Sequence, residues 1–256
     1  MSQHQKQLKI LLLGDSCYDY YHYGSVNRIS PEAPIPIFDH QYTEKKLGMM
    51  SNVLQNFRAL GIEPDYQTHF FENKNRYVDV KSKQQLLRVD QKIDEGGIDH
   101  VILEAINYDE YDAIVISDYN KGFIDYEHIT EIRRQFEGPV FIDTKKKDLG
   151  KIGDCIVKIN EYEYKSLVSY PNPDNLVVTQ GGENVKWGNR LYFPPKVDAY
   201  DVCGAGDTFL ASLVYRYLHD KNMEDAIIFA MKAAAITVQK IGVYAPKIEE
   251  IRNDKT

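Results

Sequence analysis

Cysteine is scarce: Cys17, Cys155 and Cys203 stand far apart in a chain of 256 residues, with no paired spacing. That argues against a zinc site and points to a reducing compartment. Cys203 reads as a buried small hydrophobe more readily than as a modifiable thiol. Long apolar runs are missing too. Met1 to Gln7 is polar, and Leu8 to Leu13 is too short for a signal-peptide core or a membrane span. A soluble, cytoplasmic protein with no membrane partner is expected. Basic charge is not in excess: 31 Lys and Arg against 38 Asp and Glu leave a net charge of −7, which argues against a nucleic-acid partner. Internal repeats and low-complexity tracts are absent.

What is present suffices for one substantial core, since 43% of the residues are hydrophobic. One domain over 1–256 is the expectation. Leu8 to Leu13 closes with Gly14-Asp15, the pattern of a buried parallel strand feeding a loop. Short apolar runs recur at 111–117, 139–142, 155–159 and 176–179, with helical patterns between several of them. This alternation predicts an α/β chain built on a parallel sheet. Helices are expected over 51–60, closed by Gly61, over 98–106 and over 223–240. Segment 20–47 differs: Pro31, Pro34 and Pro36 lie among β-type residues, and proline confines strands to edges, so it reads as an excursion from the main sheet. Segment 76–90 looks extended, with a polar tip at 81–83. The charged tail beyond Glu249 is expected to fray. The 19 tyrosines have no functional account in the sequence.

The densest chemical signal is Asp201-Val202-Cys203-Gly204-Ala205-Gly206-Asp207-Thr208-Phe209. Phe209, Leu210, Leu213, Val214, Tyr217 and Leu218 follow at helical spacing, which puts the Gly-Ala-Gly turn at a helix N-terminus. Free N–H groups and the helix dipole favour an anion there. Asp207 would repel that anion. Its presence makes sense if it takes a proton from a hydroxyl that attacks a phosphate. The plainer alternative is a glycine loop followed by an Asp N-cap.

Ligands of open parallel sheets gather at the carboxyl ends of the strands, and Asp15, Asp118, Asp143, Asn160 and Gly181 all fall there. Asp15 and Asp19 can accept hydrogen bonds from sugar hydroxyls or cap their own loop. Arg28 can grip a phosphate or sit on a protected edge strand. Lys121 can steer phosphate or be a solvated loop residue. Asn160 and Glu163, at i, i+3, can hold water around Mg2+ or form a capping box. Thr179-Gln180-Gly181-Gly182 can let a nucleotide approach the backbone or turn a hairpin.

The Asp201 to Phe209 run resembles the ATP-site signature of the ribokinase-like (PfkB) carbohydrate kinases. Other strings are similar to one branch of that family, the D-glycero-D-manno-heptose 7-phosphate kinase half of bacterial ADP-heptose synthase. They are Gly14-Asp15 with Asp19, Arg28 to Pro36, Gln84 to Asp90, Ser117-Asp118-Tyr119-Asn120-Lys121-Gly122, Ile142-Asp143 and Lys240-Ile241-Gly242. They occur in order over nearly the full chain. The resemblance implies a ribokinase-like three-layer α/β fold, with a mostly parallel central sheet. It also implies a small β lid from about 20–47 and 76–90, through which a homodimer would form.

By the same resemblance, Asp207 is the catalytic base, and Gly204, Ala205 and Gly206 form the anion hole for the transferring phosphoryl group. Asn160 and Glu163 match an N-x-x-E element tied to Mg2+ through water. Thr179, Gly181, Asp201, Lys240 and Gly242 fall on the nucleotide side. Asp15, Asp19, Arg28, Asn52, Arg76, Asp90, Asp118 and Lys121 fall where a sugar phosphate would be held. The implied cofactors are ATP and Mg2+, with a monovalent cation such as K+ as a further option. The implied reaction moves the γ-phosphate of ATP to the C1 hydroxyl of a heptose 7-phosphate. A sugar-phosphate or nucleotide-binding relative without catalysis is the alternative reading; the lid string argues against a nucleoside or simple hexose kinase. Three departures stand out. Met49 replaces a family glycine in Gly48-Met49-Met50-Ser51-Asn52. The stretches 61–76 and 163–177 are short. Met231-Lys232 stands where relatives carry Asn-Ala.

Overall fold

The computed structural model describes residues 8–93 and 96–253. The expectations placed on Met1 to Gln7, and on the last residues of the tail, lie outside them. The strands are β1 (Ile10–Ile29), β2 (Pro36–Met49), β3 (Asp65–Asp79), β4 (Gln85–Lys92), β5 (Ala113–Asp118), β6 (Val140–Thr144), β7 (Ile156–Asn160), β8 (Leu176–Thr179), β9 (Val185–Trp187) and β10 (Arg190–Tyr192). The helices are α1 (Met50–Ala59), α2 (His100–Glu104), α3 (Tyr126–Gln135), α4 (Glu161–Lys165), α5 (Ala205–Asp220), α6 (Met223–Val238) and α7 (Ile248–Asn253).

All strands join one sheet in the order β10-β9-β8-β7-β6-β5-β1-β3-β4, with β2 added to β1. Neighbours from β8 through β3 are parallel; β9, β10, β4 and β2 pair antiparallel. The central strands read as continuous apolar runs because both faces are covered. On β1 and β5, Ile10, Leu12, Ala113 and Val115 pack toward α1, α5, α6 and α7. Leu11, Leu13, Ile114 and Ile116 pack toward α2 and α3 on the other face. This is the three-layer α/β arrangement that the sequence resemblance implies.

Segment 20–47 does leave the core, but it stays hydrogen-bonded to the main sheet. β1 runs unbroken for 20 residues and carries the chain out of the core. β3 follows it in parallel register from Leu11↔Asp65 to Gly24↔Asp79. One strand therefore does the work for which the shortened 61–76 stretch leaves little room. The second short stretch, 163–177, holds only α4 and a 3-10 turn at Pro173–Asn175 before β8. β2 and β4 complete the outer half of the sheet, with β4 joined to β3 by a turn at the expected polar tip, where Lys83 has φ 61°. Tyrosines find a role there: Tyr18 stacks on Phe70 with ring centroids 4.2 Å apart, and Tyr23 on Tyr42 at 4.7 Å. Stacked aromatic pairs stiffen a sheet that has little core beneath it.

Two local expectations change. The helix expected at 98–106 shrinks to α2, because only Leu103 on it is buried while Val101 and Ile102 face solvent. A helix with one buried residue has little packing to extend it. The charged tail does not fray through Asn253, because Ile251 on α7 is 2% exposed and joins the core.

Candidate active site

The parallel strands end on one edge, and the N-terminus of α5 faces it. Gly204 caps α5 in the left-handed region at φ 81°, and a Cβ there would sit 2.7 Å from Asn52 Nδ2. The dihedral favours glycine, and a side chain there would displace the Asn52 amide. Asp207 lies in the first turn of α5 rather than at its N-cap. A Cβ on Gly206 would sit 2.9 Å from the Lys158 ammonium, so a side chain there would push that group aside.

Asp207 is 6% exposed. Asn52 Nδ2 donates to its Oδ2 at 2.8 Å and the Tyr119 hydroxyl donates to its Oδ1 at 3.1 Å. Burial pushes its carboxyl up to about 6; Asp143 adds to this, while Asn52, Lys158 and Tyr119 oppose it. Lys158, 4% exposed on β7, donates to Asp143 Oδ2 at 2.6 Å. Burial works against the Lys158 charge, but the Asp143 carboxylate outweighs it and holds the ammonium raised. Asp143 is in turn pushed up by burial.

Asn160 and Glu163 do form the capping box: Asn160 Oδ1 accepts from the Glu163 amide at 2.9 Å, and Glu163 Oε2 accepts from the Asn160 amide at 2.8 Å. The box turns the other Glu163 oxygen toward Lys145, whose ammonium lies 2.5 Å away. Structural and functional readings coincide here, because the cap is what aims the carboxylate. Asp118, Tyr119, Asp143, Lys145, Lys158, Asn160, Glu163, Gly204, Gly206 and Asp207 line one polar cavity of about 120 Å³.

Of the other sequence-picked residues, only Asp118 is among those that line this cavity. Asp15, fully buried, accepts from the backbone amides of Tyr119, Lys121 and Phe123 at 2.6, 3.2 and 3.3 Å, so it fixes the loop after β5. Burial, then the Asp118 charge, push its carboxyl up to about 6. Asp118 accepts from Thr144, Asn120 and Lys146. Asp201 ties the turn before α5 to the loop after α6, accepting from the Cys203 and Gly242 amides at 2.9 Å each. Lys240 lies exposed on that loop, and a Cβ on Gly242 would meet the Lys46 ammonium of β2 at 2.9 Å. Thr179 and Gly181 belong to a β8–β9 hairpin, with Gly181 at φ 59° and open space beside it.

Asp19 and Arg76 meet just beyond the core, at 3.0 Å across β1 and β3. Lys121 is held by Glu72 at 2.8 Å. Arg28 and Asp90 are not brought to the cavity. Arg28 is exposed opposite Ile37, about 40 Å along β1 from Asp15 at the usual rise per residue. Asp90 is exposed on β4, paired with Arg88. The sequence reading missed Lys158, Lys145 and Tyr119 as lining groups. A charged residue inside the apolar run Ile156-Val157-Lys158-Ile159 was the available signal, since a lysine is almost never buried without a partner.

Residues 148–250 match the pfkB family of carbohydrate kinases. The chain is 31% identical to a bifunctional protein HldE of a Nitratiruptor species, covering 95% of this chain and 64% of that protein. It is 30% identical to the bifunctional protein HldE of Helicobacter acinonychis (strain Sheeba), over 95% of this chain and 65% of that one. The chain thus spans about two-thirds of the length of the curated relatives it matches. Among solved structures it superposes on a ribokinase from Thermotoga maritima with a TM-score of 0.70 at 18% identity, covering 96% of this chain and 98% of the other. Phosphofructokinase-2 from Escherichia coli, in complex with potassium, gives 0.72 at 16% identity, over 96% and 97%. At these identities the two structures speak for the fold.

Proposed function

We propose, from the premise that the chain carries a pfkB-family carbohydrate kinase domain in a ribokinase-like fold, that it is an ATP-dependent sugar-phosphate kinase acting on the C1 hydroxyl of a heptose 7-phosphate. The observation that carries this reading is the convergence of Asp207, Lys158 and the bare glycine turn of α5 on one polar cavity. Asp207 takes the proton of the acceptor hydroxyl as that oxygen bonds to the γ-phosphorus and the bond to ADP breaks. A carboxyl with a value near 6 is ionised at neutral pH yet basic enough for this task. The α5 turn and the Lys158 ammonium stabilise charge growing on the phosphoryl oxygens. Asn52 fixes the Asp207 carboxylate, and Asp143 fixes Lys158.

Among the described residues no group of three or more His, Cys, Asp or Glu is placed to cage a metal. A hydrated Mg2+ needs only one or two carboxylates beside the substrate phosphates, and Asn160 and Glu163 on the cavity wall fit that mode. When bound, such an ion neutralises phosphate charge. The option of K+ given by the sequence resemblance has a parallel in the potassium complex of phosphofructokinase-2, which shares the fold. We read the outer half of the sheet, 20–47 and 76–90, as a lid that excludes water, with a second copy as the partner for its exposed strands. The whole of 1–256 is read as one kinase domain, and the protein as cytoplasmic.

A second reading, sugar-phosphate binding without transfer, is favoured by Met49. It holds φ 60°, ψ −133° at the junction of β2 and α1, a backbone state suited to glycine, and its side chain is buried. Mass spectrometry of products from Mg-ATP with D-glycero-D-manno-heptose 7-phosphate, and with sedoheptulose 7-phosphate beside it, separates the readings. A heptose bisphosphate that vanishes in Asp207→Asn is the expected result. Tight sugar-phosphate binding with no bisphosphate would move the assignment to the second reading.

A further inference from the structure

The two oxygens of Asp207 are not equivalent. Oδ2 is held by Asn52, a buried amide on α1. Oδ1 takes the Tyr119 hydroxyl at 3.1 Å and has no other partner among the described residues. Tyr119 lines the same cavity as Lys158 and Gly206. Its backbone is fixed from below, because Asp15 accepts its amide at 2.6 Å and those of Lys121 and Phe123 next to it. The Lys145 ammonium lies 5.0 Å from its ring centroid, and that of Lys74 5.8 Å. An O–H group donating to a base carboxylate is the arrangement an acceptor alcohol must adopt before it gives up its proton. The phenol cannot complete that step: burial and then the Asp207 charge push its own acidity well away from the working range.

We propose that Tyr119 is a gate hydroxyl, which holds Oδ1 of Asp207 in place of the acceptor until the sugar arrives and displaces it. The proposal rests on the kinase reading above and concerns the control of that same base. Without such a gate, a water molecule could take the acceptor's place. Its oxygen would bond to the γ-phosphorus, the bond to ADP would break, and its proton would pass to Asp207, leaving ADP and phosphate. A tethered phenol that donates to the base but keeps its proton blocks this loss until a better-placed hydroxyl competes for Oδ1.

Tyr119→Phe removes the hydroxyl and keeps the ring. ATP hydrolysis without sugar is expected to rise about tenfold, the scale of one displaced hydrogen bond to a charged group. Calorimetry without nucleotide adds a readout independent of turnover. D-glycero-D-manno-heptose 7-phosphate is expected to bind the variant about fivefold tighter, because no O–H to carboxylate bond must be broken first. Unchanged hydrolysis overturns the gate. Weaker sugar binding overturns it too, and makes Tyr119 a sugar ligand instead. If the variant melts early, the unaltered protein carries the test: sugar-free hydrolysis below about one hundredth of the transfer rate supports a gate, and comparable rates overturn it. Failure of the kinase reading is told apart by the transfer assay: no bisphosphate from any sugar phosphate, together with raised hydrolysis in Tyr119→Phe, removes the acceptor assignment and keeps the gate.

Discussion

Strand β1 has an inner and an outer half that live in different surroundings. Ile10 to Cys17 is buried, while Val26 and Ile29 are 37% and 60% exposed. β3 runs parallel along both as far as Gly24, but the neighbour on the other side changes from parallel β5 in the inner half to antiparallel β2 in the outer half. In the inner half every polar side chain is committed: Asp15 to three amides, Ser16 to Ser51 and Thr68. In the outer half such commitments thin out: Asp19 pairs with Arg76 and His22 with Thr43 and Asn75, and beyond them the residues meet stacked tyrosines and solvent. Chemistry needs fixed groups in a dry setting, whereas the lid proposed for the outer half would work with fewer commitments. The inner end is therefore where substitutions should change both rate and stability, and the outer end where they should change binding alone.

The strongest break of this contrast is Asp207→Asn. Turnover is expected to fall about 10²–10⁴-fold, as for loss of a general base. Stability should move the other way. The fold raises the Asp207 carboxyl from an ordinary 3.8 to about 6, so it favours the protonated form. That contribution is present below about pH 4 and lost as pH rises through 6, which leaves a cost of about 3 kcal/mol at pH 7 that a neutral amide lacks. Melting curves should show the variant more stable at pH 7 and the gain gone at pH 4. The activity of the unaltered protein should have its acid limb near pH 6. A variant that melts lower at pH 7 would contradict this assignment of the buried charge.

Lys158→Met ranks second. It strands the buried Asp143 carboxylate and is expected to cost about 3–5 kcal/mol, read from denaturant midpoints. Adding Asp143→Asn should restore most of that loss; no recovery would mean that the pair is not the source. The smallest effect is expected from Arg28→Ala. Stability should stay within about 0.5 kcal/mol, because the residue is exposed and makes no buried contact. Any consequence should appear as a higher KM for the sugar phosphate with kcat unchanged. A change in kcat would place Arg28 among the groups that act on the transferring phosphoryl, against the contrast drawn here.

Much of the fold was legible locally. The five core strands announce themselves as short apolar runs because a parallel sheet covered on both faces needs no alternation, and their ends point to the right edge of the sheet. The capping box at Asn160 and Glu163 was legible too, though not its use in aiming a carboxylate at Lys145. The reach of β1 was not legible. Period-2 patterning fades where a strand leaves the core, so the run of β1 through to Ile29, inside the segment read as an excursion, did not show. Lys158 was passed over because a lone lysine in a strand carries no partner with it in sequence.

The sequence by itself determined what depends on neighbours a few residues away. These are the glycine turn that opens α5, the position of Asp207 in its first turn, the strand ends, and the helices of α5 and α6 with their apolar stripes. Local dihedral preference and side-chain periodicity suffice for those. Only the tertiary structure decided who meets Asp207. Asn52 lies 155 positions away and Tyr119 88, and α1 and the β5 loop reach it only because the parallel sheet brings their ends to one edge. The environment of a buried charge is a sum over groups close in space, and sequence distance does not enter it.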